Sequence, residues 1–372
     1  MEKDNLKLIV LGNCKNFGNL VNENLKLIRK TEYDFIVPVS NPIFANSESK
    51  AKIGQSVRGS DLFILGDIGN YNQTYTMYGM ENKKSYNDNF MDIVNTIDAC
   101  GHTPDRIWVI EPLLYGSRQH KREGRESLNC ATGLRILESL GIKGVISYDV
   151  HDPTVRSALR NASFDNLYPT NTMLNHFLEV EDIDFNNLVI INPDAGATKR
   201  ANHFGRILEC PTGGFNKVRD TSNVVDGKCQ ILKHEYTGNV PLKNKNLLVV
   251  DDIIASGQSM IDVAEAAKTE GANKVFLFAT FGLFSDGEKS INNFNTAYEK
   301  GFIDKVYITN LSYIPKNIRT LPWIEIVDCS NHLANVIHTL NTNQSIEPFM
   351  NNKEQISQKV LQKKLKSNTK KY

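Results

Sequence analysis

Residues Leu247–Ser259, LLVVDDIIASGQS, decide how this chain is read. An apolar strand, Leu247 to Val250, ends in two adjacent carboxylates, Asp251 and Asp252. A short loop containing Gly257 follows, and a helical pattern begins near Ser259. At the carboxyl end of a strand in an open α/β sheet, such a loop faces the crevice where ligands bind. Carboxylates there accept hydrogen bonds from sugar hydroxyls or hold a hydrated Mg²⁺, and loop amides at a helix start hold phosphate. One segment can thus grip both ends of a sugar phosphate. The bland alternative is a strand-to-helix turn with solvated or capping acids.

Outward from this segment, apolar runs alternate with amphipathic patterns. Ile107–Ile110, Val145–Ser147, Leu188–Ile191, Leu247–Val250 and Val275–Ala279 read as buried strands. Phe90, Ile93, Val94 and Ile97 share a helical face behind the polar start Asn87-Asp88-Asn89. Leu134, Leu137 and Leu140 do likewise, with Ser127 the expected cap and Gly141 the stop. Met260, Val263, Ala264 and Ala267 line the helix after the acidic loop, which stops at Gly271. This is βαβ material, which predicts mostly parallel sheets flanked by helices. Two such units in series, joined near Pro169, are expected. Tyr71 to Tyr86 is polar and irregular and reads as a loop or hairpin, and the Lys-rich tail 351–372 as a solvated or disordered end.

Length and composition bound the function. A chain of 372 residues accommodates two domains of ordinary size. A formal net charge of +1 opposes a whole-protein footprint for nucleic acid. No apolar run approaches the ~18 residues of a membrane span, and the acidic start MEKDNLKLIV does not read as a signal peptide. Six scattered cysteines without a C-x-x-C pair read as reduced thiols of a cytoplasmic protein.

Four further segments carry chemistry. Tyr115 to Ser127, YGSRQHKREGRES, sets Arg118, Lys121, Arg122 and Arg125 directly after a strand, where guanidinium groups suit a polyphosphate. No G-x-x-x-x-G-K-[ST] occurs, so a P-loop is excluded. Asp149-Val150-His151-Asp152 places a histidine between acids at a strand end, a candidate Mg²⁺ or phosphate site. NPDAGATKR (Asn192 to Arg200) repeats the logic: Gly196 and Ala197 offer amides to a pyrophosphate while Asp194 faces a metal. Lys217 and Arg219 lie in a Gly-rich stretch, Thr212 to Lys228, read as a mobile loop that closes over a reacting phosphate. Each segment also has a bland reading as ordinary surface loop.

In this order the segments resemble ribose-phosphate pyrophosphokinase, the phosphoribosyl pyrophosphate (PRPP) synthetase family, from about Phe44 to Met350. IGQSVRGSD (Ile53 to Asp61) and NDNFMDIVNTIDA (Asn87 to Ala99) look like its early segments. RQHKREGRES, DVHDP and NPDAGATKR match its nucleotide loop, metal-binding histidine segment and pyrophosphate loop; VDDIIASGQS matches its ribose-5-phosphate loop. FATFGLFS and ITN also fit, and Lys217 and Arg219 stand where the family keeps a K-x-R catalytic loop.

The resemblance implies an α/β fold of two tandem phosphoribosyltransferase-type (type I) domains, each a mostly parallel sheet flanked by helices. The expected boundaries are 1–167 for the nucleotide-loop domain, 168–322 for the second, and 323–350 for a segment packing back on the first. The implied reaction is Mg²⁺-dependent transfer of pyrophosphate from ATP to ribose 5-phosphate, giving PRPP and AMP. Implied roles are transition-state stabilisation for Lys217 and Arg219, and Mg²⁺ on the phosphates for His151 and Asp194. Arg118, Gln119 and His151 would bind ATP, with Phe44 and Glu48 of a neighbouring subunit near the adenine. Asp194, Ala195, Gly196 and Ala197 form the pyrophosphate loop. Asp251 and Asp252 would hold ribose hydroxyls, directly or through metal, and Ser256, Gly257, Gln258 and Ser259 the 5-phosphate. The resemblance also implies a dimer-based homo-oligomer, often a hexamer, with no nucleic-acid or membrane partner.

Departures from the family pattern are His120 for the Asp of RQD, Asn46 in FANSE for the Asp of F-S-D-G-E, Ala-Ser-Gly-Gln-Ser (255–259) for D-T-x-G-T, and an insertion around Tyr71 to Tyr86. A non-catalytic, nucleotide-binding regulatory homologue therefore stays as an alternative. A phosphoribosyltransferase or PRPP-sensing repressor is opposed by the upstream βαβ domain and the RQH loop.

Overall fold

The computed structural model describes residues 5–225, 228–350 and 353–369, with backbone alone for 217–225, 228–234, 353–355 and 366–369. The chain divides into two compact units, Met1–Pro169 with Asn310–Tyr313 and Asp328–Asn351, and Thr170–Thr309 with Ile314–Val327 and Asn352–Tyr372.

In the first unit, β1 (Leu6–Val10) leads into α1 (Lys15–Arg29), whose Phe17, Val21 and Leu25 repeat at helical spacing and are buried. Short β2 (Val39–Ser40) and β3 (Lys52–Ile53) pair antiparallel. The all-buried β4 (Asp61–Leu65) precedes a hairpin of β5 (Thr74–Met77) and β6 (Met80–Lys83). The expected loop or hairpin is thus a hairpin, rooted by the buried ion pair of Lys84 Nζ and Asp92 Oδ2 at 2.5 Å. Then come α2 (Tyr86–Ala99), β7 (Arg106–Ile110), α3 (Asn129–Ser139), β8 (Gly144–Tyr148) and β9 (Ser163–Leu167). The sheet runs β1-β4-β7-β8-β9, parallel throughout. A capping box starts α2: the Ser85 side chain accepts from Asp88 N and the Asp88 carboxylate accepts from Ser85 N. The helix therefore begins before the expected Asn87. The Ser127 cap is corrected: Leu128 precedes α3 and supplies no side-chain cap.

The second unit opens with α4 (Thr170–Val180), β10 (Leu188–Asn192) and α5 (Thr198–Leu208). A long ribbon follows, β11 (Thr212–Val225) and β12 (Lys228–Gly238). Next are β13 (Asn246–Ile254), α6 (Gln258–Thr269), β14 (Val275–Gly282), α7 (Glu288–Glu299), β15 (Lys305–Thr309) and β16 (Ile324–Val327). Sheet order is β12-β11-β10-β13-β14-β15-β16, with only the β11–β12 pair antiparallel. The connection after β10 runs to β11 on one side and the connection after β13 to β14 on the other, so the carboxyl ends of β10 and β13 form a topological switch point.

The carboxyl-terminal segments depart from the expected boundaries. Trp323 and β16 belong to the second unit, whereas α8 (Ser330–Asn341) packs on α1 in the first, followed by the short α9 (Glu347–Met350). The expected solvated or disordered tail is corrected to a helix, α10 (Lys353–Thr369), lying on α4 and α5. Ile356 and Val360, one turn apart, are buried in the second core, and Lys359 pairs with Glu179 at 3.0 Å. Two apolar residues at i and i+4 dock this Lys-rich segment, and Lys363 and Lys364 donate to the carbonyls of Glu181 and Glu209 at 3.2 and 3.0 Å.

Candidate functional site

Two loops in the second unit follow neighbouring strands. After β10, Asp194 accepts a hydrogen bond from Gly196 N at 2.9 Å and caps a single 3₁₀ turn, Ala195–Ala197, that feeds into α5. Asn192 Nδ2 donates to Asp194 O at 2.8 Å, tying the loop to the strand end. Gly214 of β11 stands opposite Asn192, and a Cβ there would lie 2.6 Å from Asn192 Cγ, so only glycine admits this approach. Ala195 and Gly196 are exposed and Ala197 is buried. Ala195 and Gly196 are thus accessible, while the Gly196 and Ala197 amides are engaged by Asp194 Oδ1 and Asp194 O, at 2.9 and 3.2 Å.

After β13 the acid pair appears, with one correction: the strand runs through Ile254, pairing with β14 up to Gly282, so Asp251 and Asp252 lie inside it. Asp252 is buried, and its N–H donates to Asp251 Oδ1 at 2.9 Å. Burial and the neighbouring Asp252 push the Asp251 carboxyl up to about 8, against the pull of the Arg200 guanidinium 4.0 Å away. Ala255 and Ser256 then lead to Gly257, which adopts φ +85°. A Cβ at Gly257 would meet the ring of Phe294, 2.6 Å from Cζ, so glycine is required twice over. α6 begins at Gln258 with no side-chain cap from Gly257, and Gln258 N donates to Ser256 Oγ at 3.5 Å.

Lys217 and Arg219 fall on β11, opposite His234 and Ile231 of β12. Their side chains lie outside the described residues. The expected loop is corrected to an antiparallel ribbon with register shifts between Val218 and Arg219 and between Asp220 and Val224. A signal was present in the sequence, since Asp226-Gly227 is a hairpin-turn dipeptide.

In the first unit, Arg118 and Gln119 are exposed on the loop after β7. Gln119 N donates to Gly116 O at 2.7 Å. His120 Nε2 stands 3.6 Å from Asp152 Oδ2, and its ring lies 5.3 Å from that of His151. Asp152 also caps the 3₁₀ turn Pro153–Ala158, accepting from Thr154 N at 2.9 Å and Thr154 Oγ1 at 2.7 Å. Those two bonds, helped by His120 and His151, hold its carboxyl below the usual range. Asp149, at the end of β8, is buried with φ +42°, a strained step of the kind found where a chain is held for function. Phe44 and Glu48 close a separate turn, with Phe44 N donating to Glu48 O at 2.7 Å and the ring half-exposed.

Comparison with known proteins gives the family of the whole chain. The N-terminal domain of ribose phosphate pyrophosphokinase matches residues 6–141, and the phosphoribosyl transferase domain matches residues 174–295. The chain belongs to the ribose-phosphate pyrophosphokinase family. Ribose-phosphate pyrophosphokinase of Buchnera aphidicola is 27% identical over 334 residues, covering 88% of this chain and 96% of the relative. Ribose-phosphate pyrophosphokinase 2 of Schizosaccharomyces pombe is 28% identical, covering 82% and 86%. The crystal structure of phosphoribosylpyrophosphate synthetase from Mycobacterium smegmatis superposes with TM-score 0.74 at 21% identity, covering 91% of this chain and 99% of that one. The two-domain α/β architecture is therefore that of the family.

Within this pyrophosphokinase family member, each departure has a structural setting. His120 is partnered by Asp152, read in the sequence only as one of the acids flanking His151. Asn46 accepts from Glu48 N at 3.3 Å and so shapes the turn. Ala255 contributes its carbonyl, which accepts from Ser285 N at 2.9 Å. The inserted hairpin touches the Phe44 turn, Tyr78 N donating to Ala45 O at 2.9 Å. Arg200, the last residue of NPDAGATKR, is the positive charge beside Asp251. Among the described residues no helix is long and apolar enough to cross a membrane, and no three His, Cys, Asp or Glu side chains cluster as a closed metal site.

Proposed function

We propose that this chain transfers the pyrophosphoryl group of ATP to the 1-hydroxyl of ribose 5-phosphate, giving PRPP and AMP. The observation that carries the reading is the pair Asp251–Asp252 on β13, flanked in the sheet by the phosphate-suited loop after β10 and followed directly by the start of α6. The 1-hydroxyl oxygen attacks the β-phosphorus as its proton leaves, and the bond from that phosphorus to the AMP oxygen breaks. Such chemistry relies on positioning and charge neutralisation and needs no protein nucleophile.

Asp251 and Asp252 orient the ribose hydroxyls, and the amides and hydroxyls of Ser256 to Ser259 hold the 5-phosphate. Ala195, Gly196 and Ala197 hold the pyrophosphate; Arg118, Gln119 and His151 hold ATP, with Phe44 and Glu48 of a neighbouring subunit at the adenine. Lys217 and Arg219 stabilise charge on the group in flight. His151 and Asp194 are the residues that would hold Mg²⁺, which would supply charge neutralisation on the phosphates. The chain acts as a dimer-based homo-oligomer in the cytoplasm.

Purified protein incubated with Mg²⁺, ATP and ribose 5-phosphate should form AMP and PRPP in equal amounts, resolved by chromatography, only when both substrates are present. Absence of product with several nucleotides, in a protein that still binds ATP, would replace this reading with a non-catalytic regulatory homologue, the alternative that Ala255 and His120 favour. Lys217→Ala should lower kcat by ~10²-fold or more and leave ATP binding nearly intact, as for a contact made only in the transition state. Unchanged kcat would remove Lys217 from the mechanism.

A further inference from the structure

The loop after β7 is gripped from the start of α2. Tyr86 is the first residue of that helix, directly after the Ser85 cap, and the buried Lys84–Asp92 ion pair roots the inserted hairpin just before it. Its phenol oxygen accepts from Gly116 N at 3.0 Å and donates to Leu114 O at 3.1 Å, so one hydroxyl closes on both sides of Tyr115. Tyr115 is itself held by α2. Its ring stacks on Tyr86 at 5.2 Å and on Phe90, one turn further along the helix, at 4.1 Å. Its hydroxyl donates to Asn87 Oδ1 at 2.8 Å, and its N–H donates to Glu111 Oε2 at 3.1 Å. Gly116 then turns at φ +66°, Ser117 is buried, and Arg118 and Gln119 stand exposed. The chain is thus fixed at three consecutive residues just before the two side chains read as nucleotide ligands. The stretch 71–86, an insertion relative to the family pattern, ends on the residue that does most of this holding.

We infer that Tyr86 is a positioning residue for ATP: its hydroxyl fixes the backbone from Leu114 to Gly116 and so sets where Arg118 and Gln119 meet the polyphosphate. The inference rests on the reading of Arg118 and Gln119 as ATP ligands. A loop already held in one geometry leaves less for binding to order, and affinity rises accordingly. Remove the hydroxyl, and Gly116 N–H loses its acceptor while the ring stack stays. Leu114 O still accepts from Ser117 N at 3.1 Å, so the turn itself survives. Arg118 and Gln119 then spread over more positions than the one that meets phosphate. One neutral hydrogen bond sets the scale, a change of about fivefold in ATP affinity.

The test uses the full chain, with ATP binding followed by calorimetry and KM for ATP and for ribose 5-phosphate measured separately. Tyr86→Phe should raise Kd and KM for ATP about fivefold while kcat and KM for ribose 5-phosphate hold. Tyr86→Ala, which also removes the ring stack, should raise them further. In an Arg118→Ala background, Tyr86→Phe should change Kd for ATP by less than about twofold, because the side chain being positioned is gone. Unchanged ATP affinity in Tyr86→Phe would overturn the inference, as would equal changes for both substrates or an undiminished effect without Arg118. Calorimetry needs no turnover: a protein that binds ATP and forms no product overturns the proposed reaction, and its Kd for ATP still decides the role of Tyr86. A wild-type protein that does not bind ATP would overturn the functional reading and this inference together.

Discussion

Substituting alanine at Gly257 tests the site's backbone most directly. Two costs add. An L-residue in a left-handed conformation such as φ +85° costs ~1–2 kcal/mol. The new Cβ would stand 2.6 Å from Phe294 Cζ, so the ring must retreat by roughly 1 Å to regain ordinary carbon–carbon contact. Phe294 has nowhere to go: it is fully buried, stacked on Trp323 at 5.1 Å and edge-on to Phe284 at 5.6 Å. Overpacking of this kind costs ~1–3 kcal/mol, for a total of ~2–5 kcal/mol. Gly301→Ala is the control, since Gly301 has φ +71° in the same unit with nothing within 4 Å of its added Cβ. Both variants equally lose the flexibility of glycine in the unfolded chain, so that term cancels. The chain has two tryptophans, Trp108 and Trp323, and only Trp323 lies in the second unit. In a Trp108→Phe background, urea unfolding followed by tryptophan fluorescence therefore reports on that unit. Gly257→Ala should lose ~1–3 kcal/mol more than Gly301→Ala. Equal losses would refute the argument that Phe294 confines the loop.

Three other outcomes are expected. Asp251 has a folded pKa of about 8 against an ordinary 3.8, so the folded state holds the extra proton and stability falls as pH rises between those values. Asp251→Asn should flatten that slope and be the more stable protein at pH near 8; parallel melting-temperature profiles would contradict it. Lys84→Ala strands the buried Asp92 carboxylate and should destabilise the first unit by ~3–5 kcal/mol, measured by Trp108 fluorescence in a Trp323→Phe background. Replacing both partners by apolar residues should recover most of the loss. Ile356→Ala should cost the second unit ~2–5 kcal/mol by the Trp323 signal if α10 is docked as described; an unchanged midpoint would mean it is not.

What was legible in the sequence follows the strength of each physical signal. The buried strands announce themselves because Ile107–Ile110 and Leu247–Val250 are apolar at every position, as a sheet covered on both faces requires. The ends of elements are less legible. Asp251 and Asp252 look like a strand terminus by polarity, yet ladder pairing with β14 carries the strand past them. The ribbon containing Lys217 lacks a clean alternation of apolar residues, so composition suggested a loop. α10 was hidden because Ile356 and Val360 are a small apolar minority among lysines. The hold of Tyr86 on Gly116 spans 30 residues, a pairing that no local pattern reveals.

The chain passes between its two units at 169/170, 309/310, 313/314, 327/328 and 351/352. This threading bears on how the protein can be made and cut. Asp67 is buried after β4 and receives Ser312 Oγ at 2.9 Å and Tyr313 N at 2.7 Å, donors synthesised some 245 residues later. On the ribosome, the first unit must wait with that carboxylate incompletely partnered until almost the whole chain has emerged. A fragment ending at Pro169 should accordingly be far more readily digested in limited proteolysis than the same residues within the full chain. No single cleavage point divides this protein into its two halves, so an evolutionary or engineered exchange of one unit must replace several separate stretches at once.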